Sequence, residues 1–285
     1  MAMPAPTASP ATPRAPKPAK PRPKPRRRRK KPLTWKQRTI GLWRLLAGLP
    51  RVVVVAMLLA VLAVGALGVN IAHWVIRKPS VLLAPLSGAL AKTPAQTWDS
   101  YGDLFQRYAT AAVPAELLAA LAQMESSGDP AANTYWRWNT ESPDFFGIFR
   151  PASSSVGLYQ MTDPAFAEAR RFCIRDHKVI DAKVDADSCG PDALYVRLLP
   201  AHAIELTAAW LDRSTVKVVE KRPATAQQRQ DVAAIIHLCG GAPARAFVAR
   251  GFRLARGERC GDHDPAAYLS QVHTMERLFR RLAAQ

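Results

Sequence analysis

The sequence predicts an all-α protein carried behind one membrane-spanning helix and a disordered basic tail. Three observations carry this expectation. Beyond Asp99 apolar side chains recur at helical spacing, and no stretch shows convincing strand alternation. Successive segments open on Pro, Thr or Asp, residue types suited to a first helical turn or an N-cap. Before them lies Val52 to Ile76, without a single charged residue.

Residues 1–50 form the tail. They are rich in Pro, Ala, Lys and Arg, with an unbroken basic run from Arg26 to Lys31. Such a composition cannot bury enough apolar surface to offset the entropy of ordering, so a solvated cytoplasmic tail is expected. Adjacent anionic lipid headgroups would be its natural partner. The formal net charge of the chain is +18, yet no Asp or Glu precedes Asp99. The excess charge therefore belongs wholly to the first third, and residues 99–285 are neutral. The alkaline pI is accordingly no argument for a nucleic-acid-binding domain, and no aromatic residue is interleaved with the charges of 1–32. Nucleic acid is an unlikely partner.

Residues 51–77 read as a transmembrane helix. Val52 to Val69 is apolar apart from Gly65 and Gly68, about the length that crosses a hydrocarbon core. Arg51 and Arg77 bracket it, and Trp43 and Trp74 suit the two interfaces. The cations before it predict a cytoplasmic N-terminus and an exported C-terminal part. A cleaved signal peptide is the alternative, but the apolar run is long and the nearest Ala-x-Ala, Ala89 to Ala91, lies far downstream. Residues 78–98, with Pro79, Pro85 and Pro94, read as a linker.

The exported domain, 99–285, should hold helices over Asp99 to Ala111, from Pro114 to about Ser126, from Thr162 through Arg171 and over Pro200 to Arg213. Further helices are expected from the capping box at Thr225 and Gln228 to about Cys239, over Pro243 to Arg250, and from Asp264-Pro265 to the C-terminus. All four cysteines, Cys173, Cys189, Cys239 and Cys260, fall in this part, which suits an oxidising compartment. Three pairings are possible; joining sequence neighbours closes the shortest loops. No Cys-x-x-Cys or His-x-x-x-His spacing points to a metal, and no cofactor is expected.

Glu125 draws the chemical argument. It falls four residues after Leu121 and seven after Leu118, on one stripe of its helix. Partial desolvation and the negative end of the helix dipole should both raise its pKa, favouring a protonated general acid. The plain alternative is a polar residue at a frayed helix end.

Two phrases sharpen this. Glu125-Ser126-Ser127-Gly128, with Pro130 and Ala132, resembles the Glu-Ser-x-Gly-x-Pro-x-Ala signature of the SLT, goose-type lysozyme-like family of lytic transglycosylases. Ser155-x-Gly157-Leu158-Tyr159-Gln160-Met161 resembles that family's Gly-Leu-Met-Gln-Leu turn, with Tyr159 in the Met position. The resemblance implies a lysozyme-like helical catalytic domain with peptidoglycan glycan strands as substrate. Glu125 would be the sole acid/base, cleaving between N-acetylmuramic acid and N-acetylglucosamine and leaving a 1,6-anhydro end. Ser127, Ser155, Gly157, Tyr159, Gln160 and Met161 would line the sugar site, with the Gly157 backbone and Gln160 side chain holding the sugar.

Elsewhere the match loosens. Ala234 to Gly241 only loosely follows the family's Ala-x-x-Tyr-Asn-Ala-Gly-Pro stretch, with His237 where tyrosine is usual. Tyr268 with Val272 resembles its late Tyr-x-x-x-Val helix, whose tyrosine points toward the acid. Both His237 and Tyr268 are thus candidate site residues. Between the two phrases, Asn133 to Ser154 forms a long insert holding Tyr135, Trp136, Trp138, Phe145, Phe146 and Phe149. These aromatics suit either stacking on sugars or a satellite hydrophobic cluster. Glu141 or Asp144 of the insert, were either to face Glu125, would make the enzyme a hydrolysing muramidase. A noncatalytic glycan-binding scaffold of an envelope-spanning secretion or conjugation machine is the reading from another class.

Overall fold

A computed structural model of the chain describes residues 48–184, 189, 196–220 and 222–285. The expected tail lies, but for its last three residues, outside the described residues. By its contacts the chain forms two compact units, Met1–Ala60 and Val61–Gln285. The protein is mostly helical, with a few short strands.

Helix α1, Arg51–Arg77, is long and apolar enough to cross a membrane, and it is largely exposed. A 3-10 helix follows at Pro79–Leu86, so the expected linker is in fact ordered. Three hydrogen bonds tie down what comes next. Gly88 N–H donates to the Asp129 carboxylate (2.6 Å), Lys92 N–H to the Ser127 carbonyl (2.7 Å), and Asn133 N–H to the Ser87 hydroxyl (3.0 Å). Helix α2 then starts at Pro94, five residues earlier than expected, and runs to Tyr108. Its start is a capping box in which Thr93 and Gln96 satisfy each other's backbone N–H groups.

Helix α3, Ala115–Ser126, is the centre of the domain. Leu117 through Ala122 are all fully buried, so this helix is apolar all round rather than on one stripe. Each leucine there contributes roughly 1.5–3 kcal/mol of burial. Packed on α3 are α2 and the final helix α9, Pro265–Ala283, whose N-cap Asp264 accepts from Ala266 and Ala267. Behind them lie α6, Pro200–Val219, α7, Ala226–Cys239, and α8, Gly241–Ala249, packed on one another in the same core. Helix α6 outruns its expected end at Arg213 because Thr215, Val218 and Val219 are still buried.

Two short antiparallel hairpins depart from the all-helical expectation. Strands β1, Trp136–Trp138, and β2, Phe149–Pro151, pair within the aromatic insert, which also holds the one-turn helix α4, Phe145–Ile148. After helix α5, Asp163–Ala169, strands β3, Phe172–Arg175, and β4, Lys178–Asp181, pair around Asp176-His177. Both turn residues have positive φ (48° and 61°), the two-residue turn that matches strand twist. The cysteines pair with their sequence neighbours, Cys173 with Cys189 and Cys239 with Cys260.

Candidate functional site

Glu125 stands in the last turn of α3, where that helix leaves the core. Its neighbours come from distant parts of the chain. The Tyr268 hydroxyl on α9 donates to Glu125 Oε1 at 2.9 Å, and His237 Nε2 at the end of α7 lies 3.4 Å from the same oxygen. The carboxylate is about one-fifth exposed and His237 less than one-tenth, so the pair meets solvent on one side only. Three expected site residues thus converge, drawn together by helix packing rather than by adjacency in sequence.

The helix end is built to hold this position. Ser127 is left-handed (φ 53°) and Gly128 follows at φ 68°, whose N–H donates back to the Ala122 carbonyl. A Cβ on Gly128 would stand 2.3 Å from the Thr97 hydroxyl, so only glycine fits. Ser126 hydroxyl donates to the Leu158 carbonyl at 2.8 Å, fastening the second phrase to the first. At Gly157 (φ 78°) a Cβ would meet the Arg197 carbonyl at 2.6 Å.

The second phrase divides between cleft and core. Ser155, Gln160 and Met161 line a cleft of about 660 Å³ together with Glu125 and His237. Gln160 is strained into positive φ (46°), and its Nε2 donates to the Ala132 and Gly157 carbonyls. It therefore braces its own turn while one face looks into the cleft. Tyr159 points the other way. Its ring is in the core and its hydroxyl donates to the Leu118 carbonyl at 3.1 Å, so the expected sugar contact is replaced by a structural one. Ser127 is exposed as the helix cap and does not line the cleft.

Among the cleft residues that were not anticipated, Glu168, Trp210 and His263 carry polar side-chain groups. Glu168 on α5 accepts from the Trp210 indole of α6 at 3.1 Å, and both side chains line the cleft. His263 also lines the cleft, in a turn closed by the Cys260–His263 bridge and fastened to the end of α7 by the Cys239–Cys260 disulfide. No local signal marks them, since each depends on where α5, α6 and the 251–264 loop come to rest. None of the insert's aromatics, nor Glu141 or Asp144, lines the cleft; Asp144 caps α4 instead.

Electrostatics reverse one expectation. Burial is the strongest single influence on Glu125 and raises its pKa. The hydrogen bond and charge of His237, the Tyr268 hydroxyl and the charge of His263 together outweigh it, holding the carboxyl below the usual range. The cleft thus holds a carboxylate, not the neutral acid expected from desolvation alone. Burial and the Glu125 charge push Tyr268 well up, so its hydroxyl stays a donor. Among the described residues no group of three His, Cys, Asp or Glu is placed to hold a metal ion. The chain matches no family model, and no curated protein or solved structure matches it.

Proposed function

We propose that the protein is a membrane-anchored lytic transglycosylase on a lysozyme-like fold, cutting peptidoglycan glycan strands with Glu125 as its single acid/base. The observation that carries this reading is the placement of Glu125: one carboxylate at the mouth of a buried helix, facing a sugar-sized cleft and held by Tyr268 and His237. The two phrases that resemble the transglycosylase signature meet at that position, fastened through the hydrogen bond from Ser126 to the Leu158 carbonyl.

The chemistry needs a proton on Glu125 when the glycan is bound. A bound sugar expels water from the cleft and deepens the desolvation that raises the Glu125 pKa, which favours the protonated acid. Glu125 then protonates the N-acetylglucosamine O4 as the muramyl C1–O4 bond breaks. The muramyl 6-hydroxyl closes on C1, and its proton returns to Glu125. Atoms balance without water, so a second carboxylate is not required. Tyr268 keeps the carboxylate oriented throughout.

The basic tail supports a cytoplasmic N-terminus, and the two disulfides suit an oxidising space outside the inner membrane. The working domain is then periplasmic, beside the wall. A hydrolytic muramidase on the same fold is favoured by one observation: Glu168 lines the same cleft and could activate water. Mass spectrometry of fragments released from purified peptidoglycan by the full-length chain separates the readings. Anhydromuramyl ends support transglycosylation; reducing muramyl ends move the assignment to hydrolysis with Glu168. Binding without release makes the domain a glycan-binding scaffold of an envelope machine.

A further inference from the structure

The aromatic insert is bound to the outward end of α1, and its contacts say what it meets. Asn70 is a buried polar residue in an otherwise apolar helix, and its Nδ2 donates to the Phe145 carbonyl at 3.1 Å. One turn on, the Trp74 indole donates to the Phe146 carbonyl at 2.9 Å, and His73 stacks on the Phe146 ring at 3.8 Å. Asn70, His73 and Trp74 are spaced three and four apart, so a single helix face grips the turn around α4. Lys78 completes the clamp, donating to the Ser153 and Ser155 carbonyls at 3.1 and 3.4 Å.

These contacts fix a depth. Arg77 closes the apolar run and must reach the headgroups, while Asn70 lies two turns earlier, roughly 10 Å along the axis. Whatever is bonded to Asn70 and Trp74 therefore lies between headgroups and upper acyl chains. The insert presents Tyr135 (73% exposed), Trp138 (64%) and Phe145 (44%) there. Phe149 stacks inside the hairpin on Trp136 and Trp138, and Phe146 packs edge-on to Phe145, leaving the outer faces of Tyr135, Trp138 and Phe145 exposed. Exposed aromatics are costly in water but favoured at a bilayer interface. Exposed Arg77 and Arg137 supply cations for lipid phosphates, and exposed Glu141 and Asp144 stay hydrated among the headgroups.

We infer that the 133–154 insert is a membrane-interface clamp: its exposed aromatics sit in the outer headgroup region of the bilayer that α1 crosses, holding the cleft at the membrane surface. This does not depend on the chemistry proposed for Glu125. Because Lys78 grips Ser153 and Ser155, which line the cleft, the clamp sets where the cleft stands without any slack segment between.

The test uses the full chain in nanodiscs of phosphatidylethanolamine and phosphatidylglycerol, with or without lipid brominated near the headgroup. Subtracting the Trp138→Phe emission from the wild type isolates Trp138, and Trp210→Phe isolates a tryptophan of the cleft. The expected result is that Trp138 loses most of its intensity to the brominated lipid while Trp210 is unaffected. Adding Phe145→Trp to the Trp138→Phe variant should restore a quenched signal, which shows that the hairpin kept its place. Trp138 and the introduced tryptophan quenched no more than Trp210 would overturn the clamp.

Discussion

The end of α3 and the aromatic insert both reach across the chain for their partners, but they spend different atoms on it. At Glu125 the long-range contacts fall on the side chain itself: Tyr268, 143 positions away, and His237 bear on one oxygen. In the insert they fall mainly on backbone carbonyls of Phe145 and Phe146, with the Phe146 ring held on His73 and the Phe145 ring left outward. The first arrangement makes identity matter, because a neighbour's charge decides the protonation of one group. The second makes shape and apolarity matter, because any aromatic displayed there meets the same surroundings. Substitutions should therefore separate chemistry from placement.

The largest effect should come from Glu125→Gln. It keeps the Tyr268 contact and removes the titrating proton, so release from peptidoglycan should fall by about 10³-fold or more, with helical circular dichroism unchanged. Next is the Cys239–Cys260 crosslink, which closes a loop of 21 positions. Replacing both cysteines with serine should cost about 3 kcal/mol in thermal unfolding of the chain. It should also lower turnover, since the crosslink holds His263 against the cleft.

His237→Gln should act more subtly. It removes the strongest opposition to burial, so the Glu125 pKa should rise. The sign matters for stability. In the wild type the depressed carboxyl contributes stability above the ordinary carboxylate pKa, lost as pH falls through the folded value. With the pKa raised in the variant, that contribution shrinks, and the difference between the two proteins is lost as pH falls through the folded values. Difference unfolding curves between the two proteins across acidic pH read this directly, and turnover should drop about tenfold with its optimum moved toward higher pH, because a raised pKa keeps the general acid protonated further up the scale. The smallest effect is expected from Tyr159→Phe: about 1 kcal/mol of stability for the buried hydrogen bond to Leu118, with turnover unchanged. A loss of turnover instead would return Tyr159 to the sugar site.

Particular residues show what the sequence could reveal. Thr225-x-x-Gln228 announced the start of α7 because a capping box is local and stood clear of other signals. The equivalent box at Thr93 and Gln96 was hidden, since the prolines around it read as a linker, although Pro94 is a favoured first helical residue. The hairpins escaped because strands of three or four residues are too short to show alternation. The position of Glu125 could be read from Leu118 and Leu121, which share its helix. Its protonation could not, because the sign of the shift depends on His237 and His263. Likewise Glu168, Trp210 and the hold of α1 on the insert follow only from how helices pack.

The central claim is that Glu125 drives an intramolecular closure rather than an attack by water. The most direct test digests purified peptidoglycan with the full-length chain in ¹⁸O-labelled water and reads the muramyl ends by mass spectrometry. The account predicts anhydromuramyl ends carrying no label, absent from the Glu125→Gln digest. Labelled reducing ends, or unlabelled release that persists in Glu125→Gln, would contradict it.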